Sequence, residues 1–468
     1  MTKRLPVTHA PGPLEEYAAR FDDLFAARAQ REGFRRYLEG LLLPAERNKT
    51  LTALANTEPV VGARRKEAQS LQWFLSESGW DPGAINERRL GLLLEDPRTA
   101  PNASGALVID ETGDRKAGTE TAHVGRQYLG GIGKIDNGVV SVSSLWADER
   151  LYYPLEVEPY TPAHHFEEGK ADPGFRTKPK IALELVEAAV HKRTPFRAVV
   201  ADILYGEHRG FRGALEKKGV PYVLALKPSH AWWHPIGEPG SVEEVALASP
   251  WRGPGEPGAW VKLERAFRGG RTEEWWALEA QGAPYGPEKR KRLVVATTDP
   301  ASLPELTTWY LRTNLPAPGS GRAEKSELLP AEVAEVVGLY GLRGWAEQSY
   351  KQVKNSLGWA HYQVRKDLAI RRHWHLVMCA FTFCWWACAE QLLETEAPPG
   401  VASESEIDAP AAHEAVGRGG KEGRETALAV VAGSVEEGEG LARTVGDALA
   451  LLEGVLRSAP AEGAKSAA

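Results

Sequence analysis

Three acidic residues stand where carboxylates can act together. Asp110 closes the apolar run ALVID, Asp202 closes AVVAD, and Glu347 lies within YGLRGWAEQSYKQVK, Tyr340 to Lys354. A buried strand ending in an acid delivers that side chain to a site at the end of its sheet. Three carboxylates gathered at one address repel one another unless they are protonated or bridged by divalent cations. Hard oxygen donors, with no His or Cys converging on them, suit Mg2+ or Mn2+ rather than zinc. Two such ions about 3.5–4 Å apart activate a water or a 3′-hydroxyl and stabilise the entering and leaving oxygens at a phosphodiester. The chemistry expected is phosphoryl transfer on nucleic acid.

The third acid comes with cations. Read as one long helix turning roughly 100° per residue, Tyr340 to Lys354 places Tyr340, Arg343, Glu347 and Lys354 within about a 60° sector. Leu339, Leu342, Ala346, Val353 and Leu357 fall on an adjacent sector, so one flank can be buried while the polar stripe faces a groove. Taken alone, the stretch reads equally well as an amphipathic helix with a solvated charged face. Its meaning depends on whether the fold brings the two strand acids to it.

The elements that would do so follow in order. Residues 1–100 are helical in pattern, with Pro13 opening a helix and further helices at Leu51–Ala55, Arg64–Ser78 and Pro82–Leu94. This unit has a basic side of Arg47, Lys49, Arg64, Arg65 and Lys66. From Ala106 the period changes to that of strands, with DNG (Asp136–Gly138) as a hairpin turn and Leu151–Tyr160 as a third strand. A helix at Lys178–Lys192, the strand ending in Asp202, a helix near His208–Lys218 and a strand at Pro221–Lys227 complete a β-β-β-α-β-α-β order. That is the pattern of an RNase H-like fold, a mixed sheet flanked by helices, with acids of its first and fourth strands close together. Residues 229–300, rich in Pro, Gly and Trp with alternating WVKLERAF and EEWWALEA, read as a β-rich insertion. Leu303–Arg312 reads as a short helix. The core resumes over 301–395 and ends in an apolar helix, Ala369–Leu393.

Composition is that of a globular chain of 468 residues with no apolar run long enough to span a membrane and no signal-like N-terminus, so a cytoplasmic location is expected. Cys379, Cys384 and Cys388 share one apolar segment and read as reduced, buried thiols. The net charge of −6 is unevenly spread. Residues 396–468 hold 13 Asp/Glu and 6 Lys/Arg, a balance of −7, which leaves residues 1–395 at +1. The tail is acidic and has the composition of a disordered segment, apart from a helical pattern at Leu441–Leu456. Between Tyr340 and His375, seven Lys/Arg, including Lys351, face only Glu347 and Asp367, a phosphate footprint.

The run Tyr340, two residues, Arg343, three residues, Glu347, six residues, Lys354 resembles the Tyr-Arg-Glu-Lys signature of bacterial insertion-sequence transposases of the Asp-Asp-Glu type. VIDETGDRKAG with GRQYLGGIGK, and VVADILYG, resemble that family's blocks around its first two acids, and the likeness runs from about Leu38 to Trp386. The resemblance implies a cut-and-paste DNA transposase with Asp110, Asp202 and Glu347 as ligands of two Mg2+ or Mn2+ ions. It implies that Tyr340, Arg343 and Lys354, with Lys351 beside them, hold DNA phosphates. Residues 1–100 read either as a helical cap on the next domain or as a DNA-end-binding unit, followed by an RNase H-like core at 101–228 and 301–395 with an insertion at 229–300. The expected partners are double-stranded terminal inverted repeats and target DNA, engaged by a homodimer associated with the nucleoid. A domesticated descendant that binds DNA without cutting is the alternative; loss of an acid would mark it, and all three are present. The sequence departs from the family at Ile203 and Leu204, bulkier than the small residues expected after Asp202, and in the acidic tail.

Overall fold

The computed structural model describes residues 6–387, apart from 11, 45–46, 235–236, 267–271, 281 and 283–290. The acidic tail, its helical pattern at Leu441–Leu456 and Cys388 lie outside the described residues. The N-terminal helices are α1 (Pro13–Ala19), α2 (Arg28–Leu42), α3 (Leu51–Leu54), α4 (Lys66–Ser76) and α5 (Pro82–Glu95). Pro13 occupies the first turn of α1, where its missing N–H costs nothing, and Asp81 caps α5 by accepting from the amides of Gly83 and Ala84.

The main sheet begins with β1 (Ala106–Arg115), β2 (Gly125–Leu129), β3 (Lys134–Ala147) and β4 (Tyr152–Tyr160). It continues through α6 (Lys178–His191), β5 (Ala198–Ala201), α7 (Ile203–Glu207), α8 (Arg209–Lys217) and β6 (Tyr222–Leu226). Strand β1 lies between antiparallel β3 and parallel β5, and β6 continues parallel to β5. Leu107, Val108, Ile109 and the whole of β5 are covered on both faces, which explains their unbroken apolar runs. This is the mixed sheet with flanking helices expected from the sequence.

Two local expectations are corrected. DNG is not a turn: β3 passes straight through it, and the β2–β3 hairpin closes instead at Gly130–Gly133, where Gly133 takes the positive φ of 65° that glycine tolerates. The stretch Leu303–Arg312 is not helical either. Beyond a short 3-10 turn at Glu305–Thr307 it forms a strand.

The remaining elements are β7 (Ala231–Trp233), β8 (Pro239–Ser241), α9 (Val242–Leu247), β9 (Val261–Ala266), β10 (Thr272–Ala280), β11 (Arg292–Thr297) and β12 (Thr308–Thr313). Strand β12 pairs antiparallel with β6, so β9, β10 and β11 extend the same ten-stranded sheet, in the order β2-β3-β1-β5-β6-β12-β11-β10-β9 with β4 on β3. The strand explains itself by period: Trp309 and Leu311 face the main core, while Tyr310 faces a second apolar cluster with Trp232, Trp260, Trp276 and Leu293. Most of the tryptophans between residues 229 and 300 are therefore core.

Helices α10 (Val333–Gly341), α11 (Gly344–Asn355) and α12 (Asp367–Ala387) close the described chain. Helix α12 packs against α1, α2, α4, α5 and β4, merging the N-terminal helices and the sheet into one continuous core. Among the described residues no helix is long and apolar enough to cross a membrane.

Helix α7 lies so close to β6 that a Cβ on Gly206 would sit 1.7 Å from the carbonyl oxygen of Ala225. Gly206→Ala must push α7, and Asp202 at its start, off the sheet. It is expected to destabilise the protein by about 2–3 kcal/mol or more, read by thermal denaturation; a variant melting with the wild type would refute this packing.

Candidate active site

Strand β1 does not end at Asp110. It continues beside β3, where Asp110 lies opposite Ser143, but its pairing with β5 stops at Ile109–Ala201. Asp110 and Asp202 are thus the next residues along two parallel neighbours, at the point where the sheet opens. Each uses one oxygen for anchorage: Asp110 Oδ1 accepts from the Glu111 amide at 2.8 Å, and Asp202 Oδ1 caps α7 by accepting from the Leu204 amide at 3.0 Å. The second oxygen of each is turned to the opening.

The stretch Tyr340–Lys354, expected as one helix, is two. Between α10 and α11 the bonds run i to i−3, from Arg343 to Tyr340, Trp345 to Leu342 and Ala346 to Arg343. This tighter turn, between Gly341 and Gly344, separates Tyr340 from the other three signature residues. Tyr340 is buried at the end of α10, its ring edge-on to Trp309 at 4.9 Å. Trp309 in turn meets Trp275, and the Arg265 guanidinium lies 4.2 Å from both indoles. Burial pushes the Tyr340 hydroxyl up to about 12.

Helix α11 lies along β1. From Arg343 to Lys354 the helix rises about 16 Å, and from Asp110 to Asp114 the strand rises about 13 Å, so ion pairs form at both ends. Lys354 Nζ is 2.6 Å from Asp114 Oδ1 and donates to the carbonyl of Gly113 at 3.0 Å. Between the ends, the Tyr350 hydroxyl meets Ser143 Oγ at 2.6 Å, and Gln352 Oε1 accepts from Tyr152, whose ring stacks on Trp345 at 4.7 Å. Of the buried flank expected from the sequence, Leu339, Ala346, Val353 and Leu357 are in the core, and Leu342 is half-buried against it.

At the other end, one guanidinium meets all three acids. Arg343 Nη1 donates to Glu347 Oε1 at 2.9 Å, and Nη2 donates to Asp110 Oδ2 at 3.3 Å and lies 4.0 Å from Asp202 Oδ2. Exposure rises outward, with side chains 8% exposed at Asp110, 31% at Asp202 and 67% at Glu347. Burial raises the Asp110 carboxyl to about 6, opposed by Arg343 and reinforced by Asp202. Although burial opposes its charge, Asp110 and the other acids hold Arg343 above its ordinary range.

The structure therefore brings Asp110, Asp202 and Glu347 together with Arg343, sets Lys354 on Asp114, and leaves Lys351 exposed on α11. Among the described residues no three His, Cys, Asp or Glu side chains are arranged to hold one metal ion as they stand. The donor set nonetheless fits a hard divalent cation, being carboxylate oxygens that converge on a positive charge. Sequence reading missed Asp114, although strand parity puts it on the face of Asp110. It also missed Glu111, which accepts from Lys178 at 2.7 Å and Tyr205 at 3.3 Å. Ile203 and Leu204 are accommodated by exposure, each being more than two-fifths accessible.

A family model described as DDE superfamily endonuclease matches residues 20–277, a span holding Asp110 and Asp202. A curated relative from Microchaete diplosiphon, "Probable transposase for insertion sequence element IS701", is 31% identical over 352 residues, covering 75% of this chain and 81% of the relative. The chain belongs to the DDE superfamily of endonucleases, among the transposases of insertion sequences.

The raised Asp110 carboxyl has a consequence for stability. Its ordinary value is 3.8 and its folded value about 6, so the folded protein holds this proton more tightly than the unfolded chain. The group's contribution is fully present below about 4 and is lost as pH rises through about 6. Asp110→Asn is expected to raise the melting temperature of the metal-free protein at pH 7.5, an advantage that shrinks towards zero as pH falls to about 4. A pH-independent difference in melting would count against this assignment.

Proposed function

We propose that the chain is a cut-and-paste transposase that cleaves DNA strands at the ends of its insertion sequence and transfers them to a target. The observation that carries this reading is the convergence of Asp110, Asp202 and Glu347 on a single guanidinium where β5 ends. The three acids are the proposed ligands of two Mg2+ or Mn2+ ions, Asp110 as the deep anchor and Glu347 at the lip. When bound, such ions supply Lewis acidity at the scissile phosphate and lower the pKa of the attacking water or hydroxyl. The protein's part is to hold its carboxylates ready. The backbone-anchored oxygens of Asp110 and Asp202 fix the direction of the free ones, and Tyr350 and Gln352 fix the helix that carries Glu347.

In this reading Arg343 and Lys351 contact DNA phosphates, Lys354 does so only on leaving Asp114, and Tyr340 shapes the wall beside them. Residues 1–100 act as the DNA-end-binding unit, 101–228 and 301–395 as the catalytic core, and 229–300 as the insertion. In support, Arg64, Arg65 and Lys66 are exposed, and Ala63 shares a groove with Arg365 and Lys366. Of the other cations of this side, Lys49 is turned inward onto the carbonyls of Leu41 and Leu43. Joining two ends calls for a dimer assembled on the terminal inverted repeats. Intact acids favour this reading over a DNA-binding descendant that no longer cuts.

The test is incubation of the purified protein and Mg2+ or Mn2+ with DNA carrying the repeats that flank its gene. Nicking and joining are expected in the wild type, with Glu347→Gln binding the same ends while cleavage falls by at least about a hundredfold. Equal end-binding by both proteins with cleavage by neither would sink the enzyme reading.

A further inference from the structure

We infer that Arg343 is the resident counter-cation of the carboxylate site, and that divalent ions enter only as a DNA phosphate draws its guanidinium away. The inference rests on reading the three acids as metal ligands. Its geometry is competition for the same atoms. Asp110 Oδ1 and Asp202 Oδ1 are committed to backbone amides, and the remaining Oδ2 atoms are the ones that face Arg343, at 3.3 and 4.0 Å. The third acid holds the other terminal nitrogen at 2.9 Å. One planar cation thus sits among all three side chains, and as arranged around it they do not form a metal-holding group among the described residues.

The guanidinium is held by charge but incompletely. Its Nε is buried and has no hydrogen-bond partner among the described residues, and it is bonded to Glu347, the most exposed of the three acids. A phosphate offers the same planar, bidentate match to a guanidinium fork that a carboxylate does. DNA backbone arriving at the Glu347 lip would exchange one anionic partner for another and leave the acids uncompensated. Metal loading and DNA binding are then coupled, each raising the affinity for the other by the same factor.

Mn2+ binding, followed by the spin-resonance signal of the free ion, tests this without relying on cleavage. In the absence of DNA, Arg343→Gln is expected to bind Mn2+ about tenfold or more tightly than the wild type, and to gain more in melting temperature from added Mn2+. A mixed-sequence DNA duplex is expected to raise the affinity of the wild type and leave that of Arg343→Gln unchanged. Asp110→Asn should weaken Mn2+ binding in either background. If it does, yet wild type and Arg343→Gln bind alike, the arginine's role is overturned while the ligand assignment stands. If Asp110→Asn binds normally, the ligand assignment itself fails. A duplex without effect on the wild type overturns release by phosphate. Should Arg343→Gln not fold, Arg343→Lys, too short to reach all three acids, is expected to bind Mn2+ more tightly than the wild type, and equal binding would again overturn the role.

Discussion

The constraint on which this molecule turns is the electrostatic cost of holding Asp110, Asp202 and Glu347 at the end of a sheet whose interior is apolar. Two like charges about 4 Å apart at an effective dielectric near 20 oppose each other by about 4 kcal/mol, and burial adds to that. Proteins do not leave such a group uncompensated. Here the compensation is a single guanidinium, and the neighbouring acids are matched in the same way: Asp114 by Lys354, Glu111 by Lys178. Positive charge next to the acids is therefore spent first on the protein's own carboxylates, which is why Arg343 and Lys354 point inward while Lys351, Arg365 and Lys366 of the same basic stretch stay exposed.

The scaffold serves this arrangement by ending strands at different places. Because β3 continues past Asp110 and β5 does not, the sheet is closed on one side of the acid and open on the other. The opening is roofed by α11, whose position is over-determined: an ion pair to β1 at each end, Arg343 to Asp110 and Lys354 to Asp114, the Tyr350–Ser143 bond opposite Asp110, and the Tyr152 contacts with Trp345 and Gln352. With the helix fixed this firmly, Glu347 is the acid that stands out at the lip, its side chain 67% exposed against 21% for Arg343.

How much of this is legible in the sequence depends on range. The runs ALVID and AVVAD declare buried strands ending in acids because apolar continuity and an abrupt carboxylate are local facts. The N-terminal helices declare themselves through Pro13, Pro82 and apolar spacing. Strand β12 carried its own signal, the alternation of Trp309, Tyr310 and Leu311 between two cores, but a window of six residues does not distinguish this from a short helix until its partner β6 is known. DNG is a strong hairpin signal that lost to the simpler geometry of GGIG, where glycine was available exactly at the positive φ. The order of strands and helices is what puts three acids spread over more than two hundred residues at one address, and the resemblance to a family of transposases supports it.

The break between α10 and α11 changes what the Tyr340–Lys354 spacing means. On one continuous helix the four residues would form a stripe and act as a unit. With the i to i−3 turn between them, Tyr340 belongs to the wall built from Trp309, Trp275 and Arg265, while Glu347 and Lys354 belong to the helix docked on β1. Arg343 sits at the junction of the two. A residue there has neighbours on both sides: α10 packs on β10 and β11, and α11 docks on β1 beside the acids. The spacing is therefore best understood as the length of chain needed to carry a cation from an aromatic wall to a carboxylate cluster.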